Sequence, residues 1–250
     1  MEWSDRGIVL SARRHGESAA IVSLLTRDHG RHAGLARGGA GRRARGVYQT
    51  GNLLSAVWRA RLPDHLGNYS CELARAWAAD FLDDPPRLAG LAAACALTDA
   101  ALPEREPHPR LFDSLSALLS APAVPGWFAA HVHWEVALLA DLGFGLDLGS
   151  CAATGTTDDL AYVSPKSGRA VSRSAAGPYR EKLLVLPAFL IAEAGPAPGL
   201  GDLLAGLRLT GYFLERFVFA PLERRLPPAR TRYIEGLKRA ATKSGEIEAP

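Results

Sequence analysis

The chain changes its periodicity once, at Asp83-Asp84-Pro85-Pro86-Arg87. Before that point lie short segments rich in β-formers, separated by turn residues, with no helical period among them. After it, apolar residues recur at helical spacing. Two prolines behind two acids end the preceding element and suit the first turn of a helix. A chain of 250 residues divided in this way holds one large domain or two small ones. The expected class is α+β, strands first and helices second, with the boundary between residues 80 and 81.

The first part, residues 1–80, carries five candidate strands, at 7–14, 19–26, 31–37, 52–62 and 67–77. In the third, His32, Gly34 and Ala36 fall on one face and Ala33 and Leu35 on the other. Five short strands with hairpin-sized connections predict a small closed barrel, and five is the strand count of an OB-fold. The second part, residues 81–250, reads as helices at 87–102, 109–120, 126–143, 201–225 and 229–240. An excursion at 146–176 interrupts them. There "LAYVSP" and "GRAVS" flank a Pro-Lys-Ser-Gly turn and predict a β-hairpin, the only strands of the helical part.

Charge is distributed unevenly. The net formal charge is only +3, yet residues 1–80 hold 12 arginines against seven acids. Residues 27–61 hold eight arginines and one acid, Asp28. Such a field implies a polyanionic partner. Arginine outnumbers lysine 25 to four. Arginine forks onto phosphate and stacks on bases, although a GC-rich genome favouring arginine codons accounts for the same bias.

Most catalytic signatures are missing. There is no phosphate-cradling G-x-x-x-x-G-K-[ST] and no G-x-S-x-G nucleophile turn. Gly39-Ala40-Gly41-Arg42-Arg43-Ala44 matches G-x-G-x-x-A only formally, because no strand–helix–strand unit surrounds it. On a helix His131 and Glu135 share a face while His133 points elsewhere, so they read as a partly buried, salt-linked pair rather than a metal centre. The acid pairs Asp83-Asp84 and Asp158-Asp159 sit in turns, solvated or capping.

Cys151-Ala152-Ala153-Thr154 has the spacing of a zinc knuckle whose second sulfur is replaced, with Ser172 and Ser174 where a further pair would stand. One sulfur cannot supply the roughly four ligands of a structural zinc site. The hairpin is therefore expected to hold together without zinc, with Tyr162 and Val163 supplying an apolar contact. No metal, cofactor or catalytic residue is expected. Three scattered cysteines, Cys71, Cys95 and Cys151, imply no disulfide framework and a reducing compartment. The start shows no basic-then-apolar leader, so a cytoplasmic, nucleoid-associated protein is expected.

"ARGGAGRRARG", residues 36–46, contains four arginines, four glycines and three alanines, without an acid. It reads as a loop that cannot join a core. Its glycines let backbone approach a ligand closely, and Arg37, Arg42, Arg43 and Arg45 supply charge and stacking planes. Between strands of a small barrel they would border the groove where OB-folds bind nucleic acid. Arg31, Arg59 and Arg61 are outer contributors. Tyr48, Trp58 and Tyr69 either stack bases there or fill the barrel core, the core being favoured.

Several stretches together resemble the RecO family of bacterial recombination-repair proteins. They are "GIVLSARRHGESAAIVSLLTRDHGRHAGLARGG" with the basic loop after it, "FGLDLGSCAATG", "YVSPKSGRAVS" and "LTGYFLERFV". The similarity runs in order over residues 2–237. It implies an N-terminal OB-fold and a helical C-terminal domain with a small zinc-finger-like insertion. It also implies binding of single- and double-stranded DNA, annealing of complementary strands and partnership with RecR. Recognition of the acidic C-terminal tail of single-stranded-DNA-binding protein and loading of RecA on gapped DNA, in the RecF pathway, follow from the same resemblance. The chain departs from zinc-bearing members, since only Cys151 remains of the cysteine set. The resulting expectation is a non-enzymatic DNA-binding mediator. The alternative is an adaptor whose basic face binds acidic protein tails, with DNA binding incidental.

Overall fold

Five strands open the chain in the computed structural model: β1 (Glu2–His15), β2 (Ala19–Thr26), β3 (Gly30–Ala36), β4 (Leu53–Arg59) and β5 (Asn68–Arg75). They pair in the order β1-β2-β3-β5-β4, and β1 also pairs with β4, so the sheet closes into a barrel. The β3–β5 contact is parallel and short, joining Leu35 to Asn68 and Ala36 to Tyr69, and the other pairs are antiparallel. β1 starts earlier than expected because it serves two neighbours: its first half pairs with β4 and its second half with β2.

The pleat of β3 matches its alternation, with Gly30, His32, Gly34 and Ala36 buried. That inward face is small, and large rings from β4 and β5 fill the space. A Cβ at Gly34 would lie 2.4 Å from the Tyr69 ring, and one at Gly67 would lie 2.4 Å from Trp58. The Trp58 indole N–H donates to the Leu66 carbonyl at 3.0 Å, and the Tyr69 hydroxyl donates to that of His32 at 3.2 Å. Trp58 and Tyr69 thus belong to the core with Val9, Val22, Leu24 and Leu54. Burial pushes the His32 imidazole down to about 4, so it sits neutral among these rings.

The glycine–arginine segment is not wholly a loop. Residues Arg42–Val47 form a short helix, α1. Sequence favours a loop there because glycine is a poor helix former, but contacts to the barrel override that preference.

The described residues are 1–122, 126–191 and 197–244, so the last residues of the expected C-terminal domain lie outside them. They fall into two compact units, Met1–Ala121 with Pro227–Arg230 and Pro122–Leu226 with Thr231–Pro250. The first unit runs past residue 80 and takes in α2 (Pro85–Ala101) and α3 (Pro109–Ser120). Asp84 caps α2 by accepting the Arg87 N–H at 3.1 Å, and Pro85 and Pro86 occupy its first turn. Polar contacts bind α2 to the barrel. The Asp99 carboxylate accepts from Ser11 at 2.9 Å and Ser23 at 2.6 Å, and Arg31 donates to the Leu102 carbonyl at 2.9 Å.

The second unit contains α4 (Trp127–Asp141), β6 (Leu160–Val163), β7 (Ala170–Ser172), α5 (Arg173–Ala176), β8 (Leu184–Val185), α6 (Leu200–Phe213) and most of α7 (Pro228–Ser244). α4 packs on α6, where the Thr210 hydroxyl donates to the buried Glu135 carboxylate. His131 is buried beside Tyr233, whereas His133 is exposed with its ring edge-on to Phe189. The helix expected over 201–225 is shorter. After Phe213 it widens into a π-helical turn, Leu214–Phe219, and Pro221 and the left-handed Glu223 (φ 54°) end it. The expected hairpin gains a third strand, giving the order β7-β6-β8. Among the described residues, no helix is long and apolar enough to cross a membrane.

Cys151 lies in the core of this small sheet with Ala161, Tyr162, Val171 and Ala176. Its sulfur accepts the Ser172 backbone N–H at 3.3 Å, and the Ser172 hydroxyl lies 3.2 Å from that of Ser174. One thiol among hydroxyls does not fit zinc, which takes thiolate, imidazole or carboxylate ligands. Burial opposes ionisation of this thiol. Hydrogen bonds from the Ser172 and Thr154 side chains and from the backbone outweigh that and bring it from 9.0 to about 6.

A test of stability against pH follows. The folded thiol ionises at about 6 and the unfolded one near 9.0, so its contribution is complete above 9.0 and disappears as pH falls through about 6. The gap in thermal midpoint between the parent and Cys151→Ala is expected to widen by a few degrees from pH 6 to pH 9, and chelator treatment is expected to leave the parent's midpoint unchanged. A gap independent of pH would show that the thiol stays protonated in the fold.

Candidate nucleic-acid interface

The basic segment is held against the barrel before it reaches α1. Gly38 takes a positive φ of 69° and lets the chain reverse. The Ala40 N–H then donates to the Ser18 carbonyl at 2.9 Å, tying the turn to the β1–β2 connection. At its far end α1 leaves carbonyls without intrahelical partners. The buried Asn52 side chain meets two of them, donating to Gly46 at 2.8 Å and Val47 at 3.3 Å. Its carbonyl oxygen accepts the Ala78 N–H at 3.1 Å. The Tyr48 N–H closes the helix on Ala44 at 2.9 Å.

Two adjoining grooves result. The larger, about 560 Å³, is lined by Arg37, Arg59, Tyr48, Asn68 and Cys71, among others. The second, about 380 Å³, is lined by Arg14, Arg45, Tyr48, Gln49 and Thr50 together with Ala12, Ala20, Gly39 and Ala40. Tyr48 lines both. No carboxylate among the described residues lines either one.

The arginines are oriented by polar contacts that a phosphate can join or replace. Arg37 donates to the Asn68 amide oxygen at 3.2 Å, and Arg45 to the Ala40 carbonyl at 3.3 Å. Arg14 donates to the carbonyls of Gly16 and Glu17 at 3.2 and 2.9 Å. Arg59 pairs with Glu2 at 2.8 Å, and both side chains are exposed. Solvent screens an exposed pair of this kind, so it adds little to stability. Its hydrogen bond to Arg59 holds the Glu2 carboxyl below its ordinary value.

Of the seven arginines singled out from sequence, Arg37, Arg45 and Arg59 therefore line the grooves. Arg42 and Arg43 are exposed on α1 and Arg61 in the β4–β5 connection, without an ion-pair partner among the described residues. Arg31 is engaged elsewhere, at 3.6 Å from Asp99 and 3.4 Å from Glu104. Sequence reasoning missed Arg14 and Asn52. Arg14 lies two residues from Ala12 on β1, so both reach the same groove, but nothing in the sequence places that face beside α1.

Cys71 is half-buried in the larger groove. Burial raises its thiol to about 11, against the effect of a hydrogen bond with Tyr48. The Tyr48 phenol is raised by burial as well, so neither group ionises near neutrality.

Family comparison agrees with the resemblance drawn from sequence. Residues 1–77 match the model for the recombination protein O N terminal region, and residues 82–226 match that for its C terminal region. The chain is similar to the DNA repair protein RecO of Rhodospirillum centenum, with 55% identity and all of both chains covered. It is 54% identical to the protein of that name from Rhodospirillum rubrum, covering 96% of this chain and 97% of the other. Identity to that of Phenylobacterium zucineum is 52%, over 96% and 99%. Two arginine-lined grooves on a small barrel, matches to both halves and full-length relatives lead to one assignment: the chain belongs to the RecO family of DNA repair and recombination proteins.

Proposed function

We propose that this protein is a non-enzymatic recombination mediator whose OB-type barrel, over residues 1–80, binds single-stranded DNA through the two grooves beside α1. The observation that carries the reading is their lining: two arginines in each groove, a shared aromatic residue and, among the described residues, no carboxylate. Arg37, Arg45, Arg59 and Arg14 contact phosphates. Arg42, Arg43 and Arg61 add to the field at longer range, while Arg31 holds α2 to the barrel. Annealing follows from the same chemistry, because neutralising phosphates on two strands lowers their repulsion. No bond is made or broken, so no catalytic residue is needed. In this reading RecR and the acidic tail of single-stranded-DNA-binding protein are the protein partners, and RecA is loaded on the gaps so exposed.

A native reporter tests the site. Cys71 lines the larger groove, whereas Cys95 and Cys151 are buried. Saturating single-stranded DNA is expected to slow maleimide labelling of Cys71 strongly, assayed at mildly alkaline pH because of its raised thiol. Labelling that proceeds equally fast with and without bound DNA would place the DNA elsewhere on the protein.

A further inference from the structure

We propose that Tyr48 stacks an unpaired base between the two grooves and so makes this site prefer single-stranded over duplex DNA. The inference rests on the reading of the grooves as the DNA site and adds what they select.

Tyr48 is placed for this by two independent constraints. Its backbone closes α1, through the 2.9 Å bond to Ala44. Its side chain packs against the barrel core. The ring is therefore ordered before DNA arrives, which removes most of the entropy cost of offering it as a platform. It is also the half-buried ring that both grooves share, while Trp58 and Tyr69 are 2% and 4% exposed and committed to the core.

The charges complete the pattern. Arg14 and Arg45 line one groove with Tyr48, and Arg37 and Arg59 line the other. A single strand crossing α1 can set phosphates on both arginine pairs and the intervening base on the ring. In a duplex each base face is covered by its neighbours, so the arginines still meet phosphates but the ring meets no base. Stacking tolerates any base, because every base has a π-face. The preference is thus for strandedness and not for sequence.

The test uses the full chain with Tyr48→Leu, which keeps apolar packing but removes the π-face, and Tyr48→Trp, which restores one. Binding is measured by fluorescence anisotropy to a single strand, to the same strand made abasic and to a duplex. Tyr48→Leu is expected to weaken single-strand binding roughly tenfold while duplex affinity stays within about twofold. Tyr48→Trp is expected to bind like the parent. The parent should lose affinity for the abasic strand by the same factor, and the leucine variant should not distinguish abasic from normal strands. Equal losses for single strand and duplex would mean that Tyr48 only shapes the groove, and the proposal is wrong. Undiminished single-strand binding by Tyr48→Leu, with Cys71 still protected by DNA, would also overturn it but leave the grooves as the site. Cys71 unprotected in the parent would remove the site itself.

Discussion

Alanine at Arg37, Arg45 and Arg59 together is expected to flatten the plot of log affinity for single-stranded DNA against log salt by about 2. Each lost phosphate contact on a single strand contributes about 0.7 to that slope. At about 0.1 M salt the same arithmetic predicts an affinity loss of roughly a hundredfold. All three side chains are exposed, and the one ion pair they make among the described residues, Arg59 with Glu2, is exposed on both sides. Folding should therefore be almost unchanged. Base sequence should not matter, since phosphate contacts carry no base information. The informative comparison is the triple alanine variant at Arg42, Arg43 and Arg45. From sequence alone that variant should lose the full slope of about 2 if all three touch phosphate. With only Arg45 lining a groove, it is expected to lose less. Equal slopes in the two variants would mean that α1 itself, and not the grooves beside it, carries the strand. Unchanged slopes in both would move the DNA off this face.

The difference between the two variants marks where sequence reasoning stopped. The strands were readable because β-alternation is local. His32, Gly34 and Ala36 share a face at a period of two, whatever the rest of the chain does. The start of α2 was readable because Asp84-Pro85-Pro86 is a local stop and start signal. α1 was not, because Arg42-Arg43-Ala44-Arg45, though good helix formers, sit between glycines in a run too short to nucleate a helix and have no buried face. What holds it is Asn52, a single side chain beyond the helix that occupies its last carbonyls. The positions of Arg14 and Arg59 beside Tyr48 depend on barrel closure, which brings β1 and β4 together.

The second unit shows the same limit. Spacing alone drew attention to Cys151, Thr154, Ser172 and Ser174, and the hydroxyls do gather near the thiol. The third strand was missed because β8 has only two residues, Leu184 and Val185, too few to show any period. The length of α6 was overread because its apolar pattern continues past Phe213, and the π-helical turn shifts the period without changing the composition.

Valine at Gly34 is expected to have the largest effect on stability, about 3 kcal/mol against the barrel. A Cβ there would lie 2.4 Å from Cδ2 and 2.7 Å from Cε2 of Tyr69. The ring has little freedom to withdraw. Its hydroxyl is bonded to the His32 carbonyl at 3.2 Å, its backbone is in register with Ala36, and it packs within the core. Something must shift, and β3 and β5 share only the short parallel contact that closes the barrel at this point. Hydrogen exchange is expected to show β3 and β5 amides losing protection while α4 and α6 retain theirs. Because Tyr69 also lines the larger groove, single-strand affinity should fall with the barrel. A second substitution separates crowding from any other cause. Tyr69→Leu makes room at Gly34 but alone leaves a cavity. Residues in contact are not additive, so the double variant should be destabilised by less than the sum of the two singles. Strict additivity would show that the ring yields to a side chain at position 34, and that glycine is not required there to close the barrel.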